Sequence, residues 1–286
     1  MRPSGAARLA GVVGWPVAHS LSPRLHGAWL DRYGIDGAYV PFAVDSQHLE
    51  CFLRLIPHMG VVGVNITLPH KEAALALMDA ATPIARQIGA VNMVTVEDGR
   101  LVGDNTDAPG FWAHLRASLG ARGIAALHGR PLVVLGAGGA ARAVAAALLD
   151  HLDGPVRVIN RSLARAQSLA AMFATERLVP IPWESRAAAL EEAGLIVNAT
   201  SLGMAGAPPL ALALDRAMAG AVVYDCVYSP LETALLKQAK ARGLGAIGGL
   251  GMLAHQARPA FARWFGAQPE VTAELYDELE SALRAR

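Results

Sequence analysis

One nonapeptide constrains this chain more than any other segment. After the continuous apolar run Pro131 to Leu135 the sequence reads GAGGAARAV, and an Ala-rich stretch of helical period follows. Gly136, Gly138 and Ala141 form a G-x-G-x-x-A pattern between a strand and the opening of a helix, the context that a dinucleotide-binding turn requires. Each residue type has a physical reason. Gly136 permits the tight turn, Gly138 has no side chain to block a pyrophosphate, and Ala141 lets helix and strand pack closely. The helix N-terminus offers free N–H groups to the anion. Gly136, Ala137, Gly138, Gly139 and Ala140 are therefore the candidate phosphate cradle.

The rest of the chain repeats that α/β pattern. Short Val- and Ile-rich runs alternate with segments of helical period, with turn residues at the joints. Strands are expected over 9–14, 38–44, 61–68 and 90–96, with helices near 23–33, 47–57 and 70–80 between them. Later runs at 131–135, 155–160, 195–199 and 221–226 do not alternate, as suits a parallel sheet covered on both faces. A glycine-rich stretch, Gly245 to Gly251, and two helical segments, 252–265 and 270–284, close the chain. The 286 residues suffice for two domains, each with its own core. The division expected is an α/β domain over 1–110, completed by about 250–286, and a doubly wound domain over 111–249.

Composition removes several function classes. Hydrophobic residues make up 53% and charged residues 17%, far from the disordered regime. Lys plus Arg total 25 against 24 Asp plus Glu, without a basic cluster, so neither nucleic acid nor an anionic membrane is an expected partner. Mean hydropathy is +0.33, yet Gly, Arg, Asp or His interrupts the apolar stretches well short of the ~18 residues of a span. The first residues lack the apolar run and cleavage site of a signal peptide. The expectation is a soluble, cytoplasmic protein. Cys51 and Cys226 show no metal-ligand spacing and are expected as buried free thiols. His19, His26, His58 and His70 fit no zinc template, so no metal is expected.

The end of the strand after the glycine turn indicates which dinucleotide. An NAD site usually carries an acid there for the ribose 2′-OH, but this chain has Asn160, Arg161, Ser162 and then Arg165. That set suits a 2′-phosphate. Arg161 presents a planar fork, Arg165 follows one helical turn on, and Ser162 adds a hydroxyl. The expected cofactor is NADP.

Nine blocks then match one family in order. GWPVAHSLSP at 14–23, GVNITLPHKEAA at 63–74, AVNMV at 90–94, GDNTDAPGF at 103–111, VLGAGGAARA at 134–143, NRSLARA at 160–166, VNATSLGM at 197–204, VYDCVYSPLETALL at 223–236 and GGLGMLAHQA at 248–257 resemble shikimate dehydrogenase from end to end. The resemblance implies an N-terminal substrate domain, a Rossmann-like NADP domain and C-terminal helices that return to the first domain, with the active site in the cleft between. It implies reversible NADPH-dependent reduction of 3-dehydroshikimate to shikimate. By the same resemblance Lys71 and Asp107 are the catalytic pair, and Ser20 and Ser22 bind the substrate carboxylate, with Tyr228 nearby. Thr67, Asn92 and Gln256 join Asp107 at the ring hydroxyls, and Thr200 and Gly249 join the cofactor residues. Taken alone, Lys71 would be a solvated charge at a helix start and Asp107 a helix N-cap; Asn65 and Asn92 could be structural turn residues.

Some positions depart from the usual family wording. Trp15 stands where a small or polar residue is common, Gly27 where Asn is, and Met93 where Thr is. Three rival readings remain: a quinate or dual quinate/shikimate dehydrogenase, a non-catalytic ligand sensor on the same fold, and another two-domain NADP enzyme such as methylenetetrahydrofolate dehydrogenase. An acid in place of Arg161 would favour the first, a DNA-binding segment the second, and the HSLSP and NTD blocks do not suit the third. The oligomeric state stays open, a homodimer among the options.

Overall fold

The computed structural model describes residues 2–285, and these divide into two compact units. One runs to Asp107 and takes in Leu253–Ala282; the other is built on Ala108–Met252.

The first unit comprises β1 (Arg8–Gly14), α1 (Ser22–Arg32), β2 (Gly37–Ala43), α2 (Leu49–Leu55), β3 (Val61–Ile66), α3 (Lys71–Ala76), β4 (Ala80–Ala81), α4 (Pro83–Ile88), β5 (Met93–Glu97) and β6 (Arg100–Asp104). Its sheet has the order β2-β1-β3-β5-β6-β4. Strands β2, β1 and β3 are parallel, and β5 runs antiparallel to both its neighbours. On α1 the buried residues Leu25, His26, Trp29 and Leu30 recur at helical spacing, so one face of the helix meets the core. Between Asn65 and Val61 the strand can carry only glycine: a Cβ on Gly63 would lie 2.1 Å from the Trp264 indole nitrogen, which itself donates to Thr95 Oγ1 at 3.2 Å. Trp264 is buried, and cutting it to Ala would cost roughly 3–5 kcal/mol.

The second unit contains α5 (Asp107–Ala125, interrupted at Gly120), β7 (Leu132–Leu135), α6 (Gly139–His151), β8 (Val156–Asn160), α7 (Leu163–Phe173), β9 (Leu178–Pro182), β10 (Leu195–Asn198), β11 (Val222–Asp225), α8 (Ala234–Ala241) and β12 (Gly245–Ile247). All six strands are parallel in the order β12-β11-β10-β7-β8-β9, which is the doubly wound arrangement with its order reversing between β7 and β10. Every residue of β7, β10 and β11 is buried, as a sheet covered on both faces demands. Two helices close the chain, α9 (Leu250–Phe265), whose first three residues belong to the second unit, and α10 (Ala273–Arg284) in the first.

Four local expectations need correction. The run 90–96 becomes a strand only at Met93, because the backbone N–H groups of Ala90 and Val91 go to Ala85 O and Lys71 O rather than to a ladder. The β5–β6 hairpin was not expected; Asp98 and Gly99 both take positive φ, the two-residue turn that Asp-Gly favours. Part of the glycine-rich stretch is itself a strand, β12. The cysteines are not buried: Cys51 is exposed on α2 and Cys226 half-buried.

Candidate active site

In the first unit, sheet topology gathers the polar blocks at one edge. The parallel strands β1 and β3 end at Gly14 and Ile66, and the antiparallel register sets Met93 opposite Asn65 and Asp104 opposite Met93. The segments around Ser20, Thr67, Lys71, Asn92 and Asp107 therefore leave the sheet on the side of the parallel strands' carboxyl ends, where α/β sheets bind ligands.

Lys71 opens α3 and Asp107 opens α5, 36 residues apart, and their side chains meet: Nζ donates to Asp107 Oδ2 at 2.5 Å. The lysine side chain is 16% exposed and the carboxylate 6%, so the pair is shielded yet reachable. Asp107 Oδ1 accepts from Asn92 Nδ2 at 2.9 Å, and the same amide lies within reach of Thr106 Oγ1 and Gln256 Oε1. Asn92 Oδ1 accepts the Thr106 N–H at 2.7 Å. Asn105 Oδ1, not the Asp107 carboxylate, serves the Asp107 N–H at the helix start. That leaves Asp107 for Lys71 and Asn92, which a residue spent on helix capping would not be.

Ser20 and Ser22 follow β1 on a short turn in which the Ser22 N–H donates to Ser20 Oγ at 3.2 Å. Ser20 is half-buried and Ser22 buried. Thr67 is half-buried directly after β3, and its backbone N–H continues the ladder to Val13 O. Lys71, Asp107, Asn92 and Gln256 thus join one hydrogen-bonded cluster, while Ser20, Ser22 and Thr67 lie at the same sheet edge. Tyr228 belongs to the second unit.

The second unit's candidate residues surround the carboxyl ends of β7, β8 and β10. Gly136 has φ +116°, and a Cβ there would lie 2.9 Å from Ala199 O, so only glycine fits. Gly138 caps the N-terminus of α6 with no side-chain cap, and a Cβ on it would meet nothing within 4 Å. No side chain at Gly138 therefore stands before the N-terminus of α6, as a pyrophosphate there requires. Ala141 is fully buried against the sheet. The Gly136 N–H donates to Ile159 O, which brings Asn160 and the exposed Arg161 beside the turn. Asn160 Nδ2 donates to Ser162 O, and Ser162 precedes α7 without capping it by its hydroxyl. Thr200 hangs from Asn198, whose Oδ1 accepts both its N–H and its hydroxyl. Gly249 is pressed on the Cys226 carbonyl, where a Cβ would sit 2.2 Å away. A phosphate-bearing dinucleotide fits this set: glycine where a cradle needs room, arginine at the end of β8, and no acid beside it.

Sequence reasoning missed several polar residues. Asn105 and Thr106 stand in the GDNTDAPGF block without a role assigned to them, and Tyr39 is not singled out, although its hydroxyl donates to Asn65 Oδ1 at 2.7 Å. In the second unit Asp225 is fully buried and accepts from Asn198 Nδ2, the Val227 N–H and the Thr233 hydroxyl. Burial pushes its carboxyl above the usual carboxylate range. A buried Asp at a strand end, followed by Thr eight residues on, was the available signal. Among the described residues no cluster of three or more His, Cys, Asp or Glu is arranged to hold a metal, and no helix is long and apolar enough to cross a membrane.

Known proteins bear on these residues. Residues 12–94 match the family described as shikimate dehydrogenase substrate binding domain, and residues 118–204 the family described as shikimate / quinate 5-dehydrogenase. A shikimate dehydrogenase (NADP(+)) of Rhodospirillum rubrum is 54% identical over 272 residues, covering 94% of this chain and 95% of the relative. The Thermus thermophilus shikimate 5-dehydrogenase, solved in complex with NADP(H) and shikimate, superposes with a TM-score of 0.82 at 40% identity over 97% of this chain and 99% of that one. A quinate dehydrogenase of Corynebacterium glutamicum, solved in complex with NAD, superposes with a TM-score of 0.86 at 31% identity over 97% and 99%. Both share this fold, and the matches over residues 12–94 and 118–204, with 54% identity along nearly the whole length, show that the chain belongs to the shikimate dehydrogenase family.

Proposed function

We propose that this chain catalyses the reversible, NADPH-dependent reduction of 3-dehydroshikimate to shikimate, a step of aromatic amino-acid (chorismate) biosynthesis, in the cytoplasm. The observation that carries the reading is the shielded Lys71–Asp107 pair at 2.5 Å, tied to Asn92 and set at the sheet edge beside the Ser20–Ser22 turn. The cofactor, when bound, supplies the hydride to the ring ketone. The protein supplies placement and charge. As negative charge grows on the carbonyl oxygen, the Lys71 ammonium stabilises it and delivers a proton from Nζ. Asp107 holds that ammonium in line and accepts a ring hydroxyl of the substrate through its second oxygen. Asn92 and Gln256 complete the polar wall for the ring, and the Ser20 and Ser22 hydroxyls donate to the substrate carboxylate. Gly136 to Ala140 would cradle the pyrophosphate, and Arg161, with Arg165 and Asn160, the 2′-phosphate.

The test is a direct assay of purified protein with shikimate or quinate and NADP or NAD, read by the absorbance of the reduced nicotinamide. Turnover of shikimate with NADP well above every other combination is expected. Preference for quinate with NAD would replace this reading with that of a quinate dehydrogenase.

A further inference from the structure

Tyr39 is a buried tyrosine on β2 in surroundings that would suit phenylalanine. Its ring stacks on His26 at 3.9 Å between centroids and 4° between planes, and Trp264 lies beside it. His26 is itself fully buried with no hydrogen-bond partner on either ring nitrogen, and burial lowers its pKa to about 3, so it is a neutral packing ring. In that apolar setting a phenol oxygen is unfavourable unless it is hydrogen-bonded. It is: its hydrogen goes to Asn65 Oδ1 at 2.7 Å.

The direction of that bond has a consequence at Asp107. A phenol has one hydrogen, and giving it to Asn65 Oδ1 fixes which way the Asn65 amide faces. Only in that orientation does Asn65 Nδ2 donate to Asn92 O, at 3.0 Å. Asn92 O also accepts the Ile66 N–H, its N–H donates to Asp104 O, and its side-chain amide holds Asp107 Oδ1. One hydrogen-bond chain therefore runs from Tyr39 through Asn65 and Asn92 to Asp107, all within one unit. We propose that Tyr39 is a positioning residue that, through Asn65 and Asn92, holds Asp107 in line with Lys71. The assignment rests on the reaction proposed above, and it explains why the strand carries a phenol where a phenyl ring would satisfy the packing.

The experiment is steady-state kinetics of full-length parent and Tyr39→Phe with shikimate and NADP, with Asn65→Ala and the double variant completing a cycle. Losing a bond of this kind corresponds to roughly a 3- to 10-fold change. Tyr39→Phe should lower kcat and raise the shikimate KM by factors in that range while the NADP KM stays put, and the double variant should be little worse than the poorer single one. Parental kcat and shikimate KM in Tyr39→Phe, or full additivity with Asn65→Ala, would overturn the assignment. Should Tyr39→Phe fail to fold, Asn65→Ala decides alone: loss of kcat supports the chain, and a change confined to the shikimate KM refutes it. An inactive parent would instead overturn the reading of the whole site.

Discussion

The two units assemble their candidate sites by opposite means. In the first, the working atoms are side-chain atoms, each already hydrogen-bonded: Lys71 to Asp107, Asp107 to Asn92, Asn92 to Thr106 and Asn65. In the second, the cradle is made of what is missing, with Gly138 opening onto free space and Gly136 and Gly249 allowing backbone to approach backbone. Proton transfer tolerates little misplacement, so its groups are held by neighbours. An anion needs only N–H groups, room and positive charge, so backbone and exposed arginines suffice. Breaking the first site should therefore damage turnover, and breaking the second should damage affinity.

The largest expected effect is at the chemical step. Lys71→Ala removes the proton donor and the charge nearest the developing alkoxide, while the groups proposed to hold the substrate carboxylate remain. Positioned proton transfer contributes roughly 10²- to 10⁴-fold, so kcat should fall by about that factor with much less change in the shikimate KM. Asp107→Ala should lower kcat and raise the shikimate KM together. A Lys71→Ala enzyme with near-parental kcat would end the contrast between the units.

The next test concerns the core that supports the first site. His26 carries a pKa of about 3 in the folded protein against 6.5 when solvated. Its folded value is depressed, so the unfolded chain binds the extra proton: the stabilisation is complete above pH 6.5 and is lost as pH falls toward 3. The slope reaches at most about 1.4 kcal/mol per pH unit for one proton. His26→Phe keeps an aromatic ring against Tyr39 and removes that proton. Denaturant unfolding of the two proteins across this range should show the parent losing stability relative to the variant as pH falls, with the variant less pH-dependent. Parallel curves would mean that His26 is not buried as a neutral ring.

In the second unit the corresponding test is Arg161→Asp, which reverses charge beside the glycine turn. A charge-assisted contact is worth roughly 1.5–3 kcal/mol and the new acid would repel a 2′-phosphate, so the NADP KM should rise at least tenfold while NAD use and kcat change little. A matching loss with NAD would show that Arg161 holds the loop rather than reading the phosphate.

What the sequence revealed follows the same division. The glycine turn was legible because its physics is local: strand, Gly136, Gly138 and helix are consecutive. The parallel second sheet was legible from its non-alternating apolar strands. The pairing of Lys71 with Asp107 spans 36 residues and depends on β3, β5 and β6 aligning their ends, which no spacing reveals; only the family resemblance named both. Ala90 and Val91 read as strand because they are apolar, yet their amides are taken by Ala85 O and Lys71 O. The β5–β6 hairpin carried its own signal in Asp98-Gly99, and the tyrosine at position 39 looked like any strand aromatic until its hydrogen found Asn65.

The smallest effect comes from a matched pair of threonines that cap helices in the two units. Thr82 caps α4, accepting from the Ala85 N–H at 3.4 Å and donating to Asp104 Oδ1 at 2.5 Å. Thr233 caps α8, accepting from the Leu236 N–H at 3.3 Å and donating to Asp225 Oδ2 at 2.6 Å. The local geometry is nearly the same, but the surroundings are not: Asp225 is fully buried, whereas Asp104 is half-buried and can turn to water. Replacing either threonine by valine removes a cap worth about 1 kcal/mol. At Thr233 it also strips a donor from a buried carboxylate, which adds roughly 1–2 kcal/mol because no solvent replaces the bond. Thr233→Val should therefore destabilise more than Thr82→Val when both are measured by denaturant unfolding. It should also loosen Asn198 and Thr200, raising the NADP KM slightly, while Thr82→Val leaves that constant alone. Equal losses of stability from the two would show that the cap alone accounts for the energy and that burial of Asp225 contributes nothing.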